Sequence, residues 1–182
     1  MWILAVILHA LYYISPAYAA NSFALLLGGG KPIDSGKNFR DGRRILGDGK
    51  TWRGLFVGLL FGFLFGLMWY FFSQSGPLNE VYYGIFDFRI TDPFFGFYLA
   101  TGALLADIIK SFFKRRLGIK RGRPFWGVDQ LDFVLGALLF AYLLAPTFII
   151  LEEFIFLIII TPAMHLFGNL LGYKSKIKDV WW

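Results

Sequence analysis

The chain reads as an all-α integral membrane protein: five transmembrane helices joined by two basic cytoplasmic loops and two connections on the other side. Three observations predict this. Hydrophobic residues make up 57% of 182 positions, and mean hydropathy is +0.59, unlike a water-soluble domain. Five apolar stretches, about 1–28, 54–73, 93–113, 133–151 and 154–173, can each cross a ~30 Å hydrocarbon core as a helix. Five crossings place 17 of the 18 Lys and Arg residues on one side, with only Arg89 elsewhere. The apolar runs are continuous rather than alternating, which argues against a barrel. Nothing is left over for a soluble domain, so residues 1–182 are read as one membrane unit. With no cysteine, disulfides and thiolate chemistry are excluded.

Orientation follows from the same split. Basic residues crowd the loops at about 29–53 and 114–132 and the C-terminal tail, and the positive-inside rule makes these cytoplasmic. The N-terminus is then outside and the C-terminus inside a cell membrane. Glu80, Asp87, Asp92, Glu152 and Glu153 fall on the outer side. The net charge of +6 is therefore a field on one membrane face, suited to anionic nucleotides and lipid headgroups. No soluble face exists to present to a nucleic acid.

In span one, Ala17-Tyr18-Ala19 has the form of a signal-peptide cleavage site, but no basic residue precedes it and the apolar run resumes at Phe23, so the segment is read as a span. Pro16 should kink it and free a carbonyl. Asn21 is interhelical polar glue by default. The first loop is rich in glycine and charge. Gly49-Lys50-Thr51 resembles the end of a P-loop, but Arg44 stands where that motif needs glycine and no strand precedes it. Asp41-Gly42 resembles the start of the CDP-alcohol phosphotransferase motif, but Ile45-Leu46 replaces the Ala-Arg expected next. What remains is a glycine-permissive backbone with donors for phosphate, and Lys50, Thr51 and Arg53 where it enters span two; a solvated linker is the other reading.

Span two, uncharged and rich in Phe and Gly, is scaffold, its glycines allowing close helix approach. The segment 73–92 carries no recognisable chemistry, and Asp92-Pro93 should cap span three. Asp107 lies six residues before Phe113, about 9 Å inside the span, where an ionised group is functional by default; an ion pair with Lys110 alone is the competing account. Asp129 and Asp132 share a face if a helix begins there. Three carboxylates among Lys and Arg at a membrane boundary suit metal ions and phosphates. A kink is expected at Pro146 in span four. In span five, His165, Asn169 and Tyr173 place polar groups on one face, where a core histidine competes with a functional one. The tail 174–182 is basic and aromatic, an interfacial anchor.

The run Ser111, Lys114-Arg115, Lys120, Pro124, Gly127 and Asp129-Gln130-Leu131-Asp132 resembles the signature of the membrane CTP:phosphatidate cytidylyltransferases. The His-Gly-Gly of the bacterial pattern is missing, and Gln130 stands where the pattern has Arg. Both departures, with the short chain, resemble the compact archaeal branch, the CDP-archaeol synthases, in blocks Pro16–Asn21, Asp41–Gly54, Asp107–Asp132 and His165–Trp181. The resemblance implies a cytidylyltransferase: an ether-lipid phosphomonoester, digeranylgeranylglycerol phosphate, attacks the α-phosphorus of CTP, and pyrophosphate leaves. It implies Mg²⁺ on Asp107, Asp129 and Asp132, with Lys110 beside them. It implies substrate contacts from Lys50, Thr51, Arg53, Lys114, Lys120, Asn21, His165 and Asn169. Two other classes fit the bare composition: a small transporter for a phosphorylated compound, and a scaffold binding anionic membrane lipids. Against the transporter, the signature occupies one membrane face, no charged path leads to the other, and no internal repeat is visible.

Overall fold

A computed structural model describes residues 2–74, 90–120, 122–145 and 149–176. Glu80, Asp87, Arg89, Arg121, the kink expected at Pro146 and the tail from 177 onward lie outside the described residues. Five helices follow in order: α1 (Trp2–Leu26), α2 (Trp52–Gln74), α3 (Phe95–Arg116), α4 (Val128–Leu144) and α5 (Leu151–Lys174). Four of them, α1, α2, α3 and α5, are long and apolar enough to cross a membrane; α4, with 17 residues, is the shortest. Among the described residues there is no strand beyond the isolated bridges Pro32–Thr51 and Asn38–Arg44 in the first loop.

α1 is the central element. Ala5, Ala10, Ile14, Ala17 and Ala20 are fully buried, so the segment resembling a leader is part of the core. It contacts each of the other four helices. Pro16 sits inside the continuous helix. A proline there leaves the carbonyl four residues earlier without its helical N–H, and the Ser15 hydroxyl donates to that carbonyl, Tyr12 O, at 2.9 Å. The same hydroxyl accepts the Trp69 indole N–H at 2.7 Å, so the backbone break becomes a tie between α1 and α2.

Because lipid is as apolar as the core, close packing rather than exclusion of water must hold such a bundle together. Gly54, Gly58, Gly62 and Gly66 are buried along one face of α2. A Cβ at Gly62 would overlap Ala100, and one at Gly66 would overlap the backbone of Gly96. α3 and α4 cross at Gly102 and Gly136, where a Cβ on either would strike the other's carbonyl. Ile14, Leu99, Val134 and Leu157 fill the centre.

The helix boundaries depart from hydropathy at both ends of α4, which starts at Val128 and ends at Leu144 rather than covering 133–151. A hydropathy window stops at Asp132; the helix does not, because Asp129 in its first turn and Asp132 in its second find cations. α3 starts at Phe95. Asp92 acts two residues earlier than a cap would, its carboxylate accepting the Phe94 N–H at 2.8 Å. Glu153, placed outside the membrane by composition, is fully buried in α5. Its carboxylate pairs with His9 of α1 and accepts the Ile150 N–H at 2.9 Å, satisfying a helix-end donor.

The first loop is folded around Asp34, which is 7% exposed. Its carboxylate receives Arg44 at 2.8 and 3.2 Å and the backbone N–H groups of Leu46, Gly47 and Gly36 at 2.9, 2.9 and 3.1 Å. Burial alone would raise this carboxyl, but the Arg44 guanidinium and the three N–H donors outweigh it and hold the group well below the usual carboxylate range. Gly47 needs the left-handed conformation, φ 94°. The loop is clamped to the end of α3: Arg116 pairs with Asp41 at 2.6 Å and lies 4.8 and 5.0 Å over the rings of Phe39 and Phe112. Arg43 donates to the Arg115 and Arg116 carbonyls in the last turn of α3, the end of the helix dipole that favours a cation.

Candidate active site

At the end of the bundle that carries the basic loops, three carboxylates and three ammonium groups interlock. Lys110 Nζ of α3 lies 2.9 Å from Asp107 Oδ1, 3.3 Å from Asp129 Oδ1 and 3.0 Å from Asp132 Oδ2. Asp107 also pairs with Lys50 from the first loop. Asp129 also pairs with Lys114 at 2.8 Å and accepts the Phe125 N–H at 2.7 Å. Each side-chain position has a local cause. Asp107, Lys110 and Lys114 recur at three and four residues, so α3 presents them on one face. Gly127, at φ 80°, turns the chain into α4 so that Asp129 and Asp132 face α3. The folded first loop delivers Lys50. The three carboxylate side chains are 7–16% exposed, and the formal charges of the six groups cancel.

These residues line two cavities that share Lys50, Asp107, Lys110 and Asp129 in their walls. One, of about 200 Å³, runs between the helices past Asn21, Lys50, Thr51, Asp107, Lys110, Asp129, Asp132, Phe133 and His165. The other, of about 170 Å³, lies under the first loop, between Gly47, Gly49 and Lys50 on one side and Ser111, Lys114 and Arg115 on the other. A wall of backbone glycines facing lysines suits a polyphosphate.

The predicted site residues do not all converge. Asp107, Asp129, Asp132, Lys110, Lys50, Lys114, Asn21 and His165 do. Asn169 is 5% exposed and stands behind His165, its amide 3.3 Å from the ring Nδ1. Thr51 touches the cavity, but its hydroxyl oxygen accepts the N–H groups of Gly54 at 3.1 Å and Gly29 at 3.2 Å, which makes it the N-terminal cap of α2. Arg53 and Lys120 are exposed and line neither cavity. Sequence reasoning passed over Asp34, which shapes the loop that presents Lys50; its signal was Asp34-Ser35-Gly36, the composition of a turn closed by an aspartate side chain. It also passed over the cavity walls Leu104, Ile108 and Phe133, which look like any other apolar span residues.

Among the described residues no three ligand-type side chains already converge on one ion position; Lys110 occupies the space between the carboxylates. Both oxygens of Asp132 are nevertheless buried without a hydrogen-bond partner, since its contact with Lys110 has ion-pair distance but not hydrogen-bond geometry. Hard carboxylate oxygens with unused lone pairs fit Mg²⁺, and Asp129, already holding Lys114 and Phe125, fits it less well than Asp132.

Residues 3–182 match the family model described as CarS-like, CDP-archaeol synthase. The CDP-archaeol synthase of Methanococcoides burtonii is 50% identical, the alignment covering 92% of this chain and 99% of that one. The CDP-archaeol synthase of Methanocaldococcus jannaschii is 47% identical over 95% of this chain and 96% of its own. A solved structure, described as an intramembrane enzyme for archaeal membrane lipid biosynthesis, superposes with a TM-score of 0.70 at 37% identity, covering 88% of this chain and 92% of that one. With its fold and nearly its whole length matched, the chain belongs to the CDP-archaeol synthase family.

Proposed function

We infer that this chain makes CDP-archaeol at the basic end of its bundle, from CTP arriving by water and an unsaturated ether-lipid phosphate arriving by the bilayer. A phosphate oxygen of the lipid bonds to the α-phosphorus of CTP. The bond from that phosphorus to the β-bridging oxygen breaks, and pyrophosphate leaves with the electron pair. The attacking phosphomonoester is already ionised near neutral pH, so no general base is required. The work is positioning and neutralisation of anions that repel each other.

The observation that carries this reading is Lys110, held by Asp107, Asp129 and Asp132 where both cavities meet. Lys50 and Lys114 hold the β- and γ-phosphates beneath the glycine loop. Asn21 and His165, steadied by Asn169, face the deeper cavity and contact nucleotide or headgroup. Arg53 and Lys120 lie outside the cavities and serve the anionic surface. Bound Mg²⁺, held by Asp132 and Asp107 with help from Asp129, supplies charge neutralisation of the reacting phosphates. The basic end faces the cytoplasm, with the N-terminus outside, by the one-sided charge of the loops.

The test uses purified protein in lipid nanodiscs with radiolabelled CTP, an ether-lipid phosphate and Mg²⁺. The expected result is label in the lipid fraction with one pyrophosphate per turnover. Pyrophosphate release without labelled lipid, or transport of lipid phosphate across vesicles without release, overturns it.

A further inference from the structure

The hollow beneath the first loop has one wall on α3 and the other on the loop. Ser111, Lys114 and Arg115 stand on one side, Gly47, Gly49 and Lys50 on the other. The two walls are far apart in sequence, so a non-covalent contact has to set the gap between them. The Lys50–Asp107 pair crosses it, but a lysine that serves phosphate cannot also hold the wall in place.

At the end of α3, just beyond the hollow, two arginines exchange hydrogen bonds. Arg43 of the loop donates to the Arg115 and Arg116 carbonyls of α3. Arg116 of α3 donates to the Arg43 and Arg44 carbonyls of the loop. The Arg116 fork also holds Asp41 at 2.6 Å. Its face lies over two rings, Phe39 from the loop and Phe112 from α3. A planar guanidinium can donate along its edge while it stacks by its face, which an ammonium cannot do. The Arg116 side chain is only 16% exposed, unlike the solvated surface pairs that contribute little.

The grip passes inward through one residue. Arg44, whose carbonyl Arg116 holds, turns its own guanidinium to Asp34 and Asp48, each at 2.8 Å. Asp34 in turn accepts the Gly47 N–H at 2.9 Å, and the Lys50 N–H donates to the Gly47 carbonyl at 3.3 Å. A short run of bonded groups thus joins Arg116 to the backbone of Lys50. Lys110, Lys114 and Arg116 all ride on α3, so one rigid helix carries the inner wall of the hollow and the contact that holds the outer wall.

Resting on the function inferred above, we propose that Arg116 is a positioning residue for the phosphate chain of CTP, its clasp fixing the loop at the width where Lys50 and Lys114 reach the same departing pyrophosphate. The loop is then a fixed wall rather than a lid. Arg116 lines neither cavity, so it acts through the loop and not by touching the nucleotide.

Arg116→Lys tests this in nanodiscs, because it keeps the charge and loses the fork and the stacking. Arg40→Lys, at an exposed loop position outside the clasp, is the control. Arg116→Lys is expected to raise KM for CTP and Kd for inorganic pyrophosphate with Mg²⁺ about tenfold, by displacing Lys50 from its place. KM for the lipid phosphate should stay within about twofold. Amide exchange at Leu46 and Gly47 should speed up about tenfold or more, and the control should change none of these. Where Arg116→Lys does not fold, Asp41→Asn removes a single, 38% exposed arm of the clasp and should give the same pattern at about threefold. A folded variant with a lower melting temperature but unchanged CTP KM and pyrophosphate Kd makes the clasp purely structural and overturns the proposal. An equal rise in KM for both substrates overturns it as well. Wild-type protein that binds pyrophosphate without labelling lipid instead overturns the inferred function, and the pyrophosphate Kd of the variants still decides the clasp.

Discussion

Lys110 and its three carboxylates separate roles that residue type alone left merged. Asp132 is buried with no hydrogen-bond partner, whereas Asp129 holds Lys114 and the Phe125 N–H. Asp132→Asn gives up only its ion pair with Lys110, so it should lose orders of magnitude in rate, each ~1.4 kcal/mol being tenfold, at a smaller cost in melting temperature than Asp129→Asn. Asp129→Asn should lose both rate and about 1–3 kcal/mol of stability, from the donors it leaves unpaired. Melting temperature and turnover measured across a Mg²⁺ titration check both; equal behaviour of the two variants would remove the distinction. Lys50→Ala should weaken CTP binding by about 1.5–3 kcal/mol, roughly ten- to a hundredfold, because it removes a charged donor from a half-buried site; calorimetry with a non-hydrolysable CTP analogue reads it. Asp34 predicts a pH dependence. Its folded carboxyl titrates below its unfolded value, so its contribution is complete above about pH 4 and is lost as pH falls through the folded value. Exchange protection of the Leu46 and Gly47 amides, corrected for intrinsic rates, should be flat from about pH 5 to 8 and fall below about pH 4. The signature carboxylates were legible in the sequence from their order and spacing. The capping role of Thr51 was not, since a hydroxyl that binds phosphate and one that caps a helix look alike until the backbone is placed.

The helices were legible from hydropathy, and their contacts much less so. Periodicity finds little in spans apolar all round, so what fixes the packing is where side chains are absent. Gly54, Gly58, Gly62 and Gly66 make one such face on α2, and Gly102 meets Gly136 between α3 and α4. Gly102→Ala should push α3 from α4 and cost about 1–3 kcal/mol, with a matching drop in melting temperature. Gly168 on α5 has open space where a Cβ would go, and Gly168→Ala should cost nothing measurable; equal effects would deny that the crossing is tight. α4 shows why hydropathy misplaced an end. The scale treats Asp129 and Asp132 as excluded from a helix in the membrane, but it contains no term for the lysines that meet them. The same blindness hid Glu153, whose partner His9 lies 144 residues away.

On the proposed orientation a tag at residue 1 should be accessible from outside and one at residue 182 from the cytoplasm; both on one side would dismiss it. The cluster at Lys110 has a further consequence at this scale. Opposed ion pairs that sum to zero form a multipole, whose field dies away within a few ångströms. The resting site therefore casts no long-range pull on a nucleotide. Attraction falls to the unbalanced cations of the loops, such as Lys37, Arg40 and Arg53, all exposed. Capture and chemistry are then governed by separate charges. Rising ionic strength should slow the second-order encounter with CTP, since exposed charges are screened beyond ~8–10 Å. It should leave single-turnover rates of preloaded enzyme unchanged.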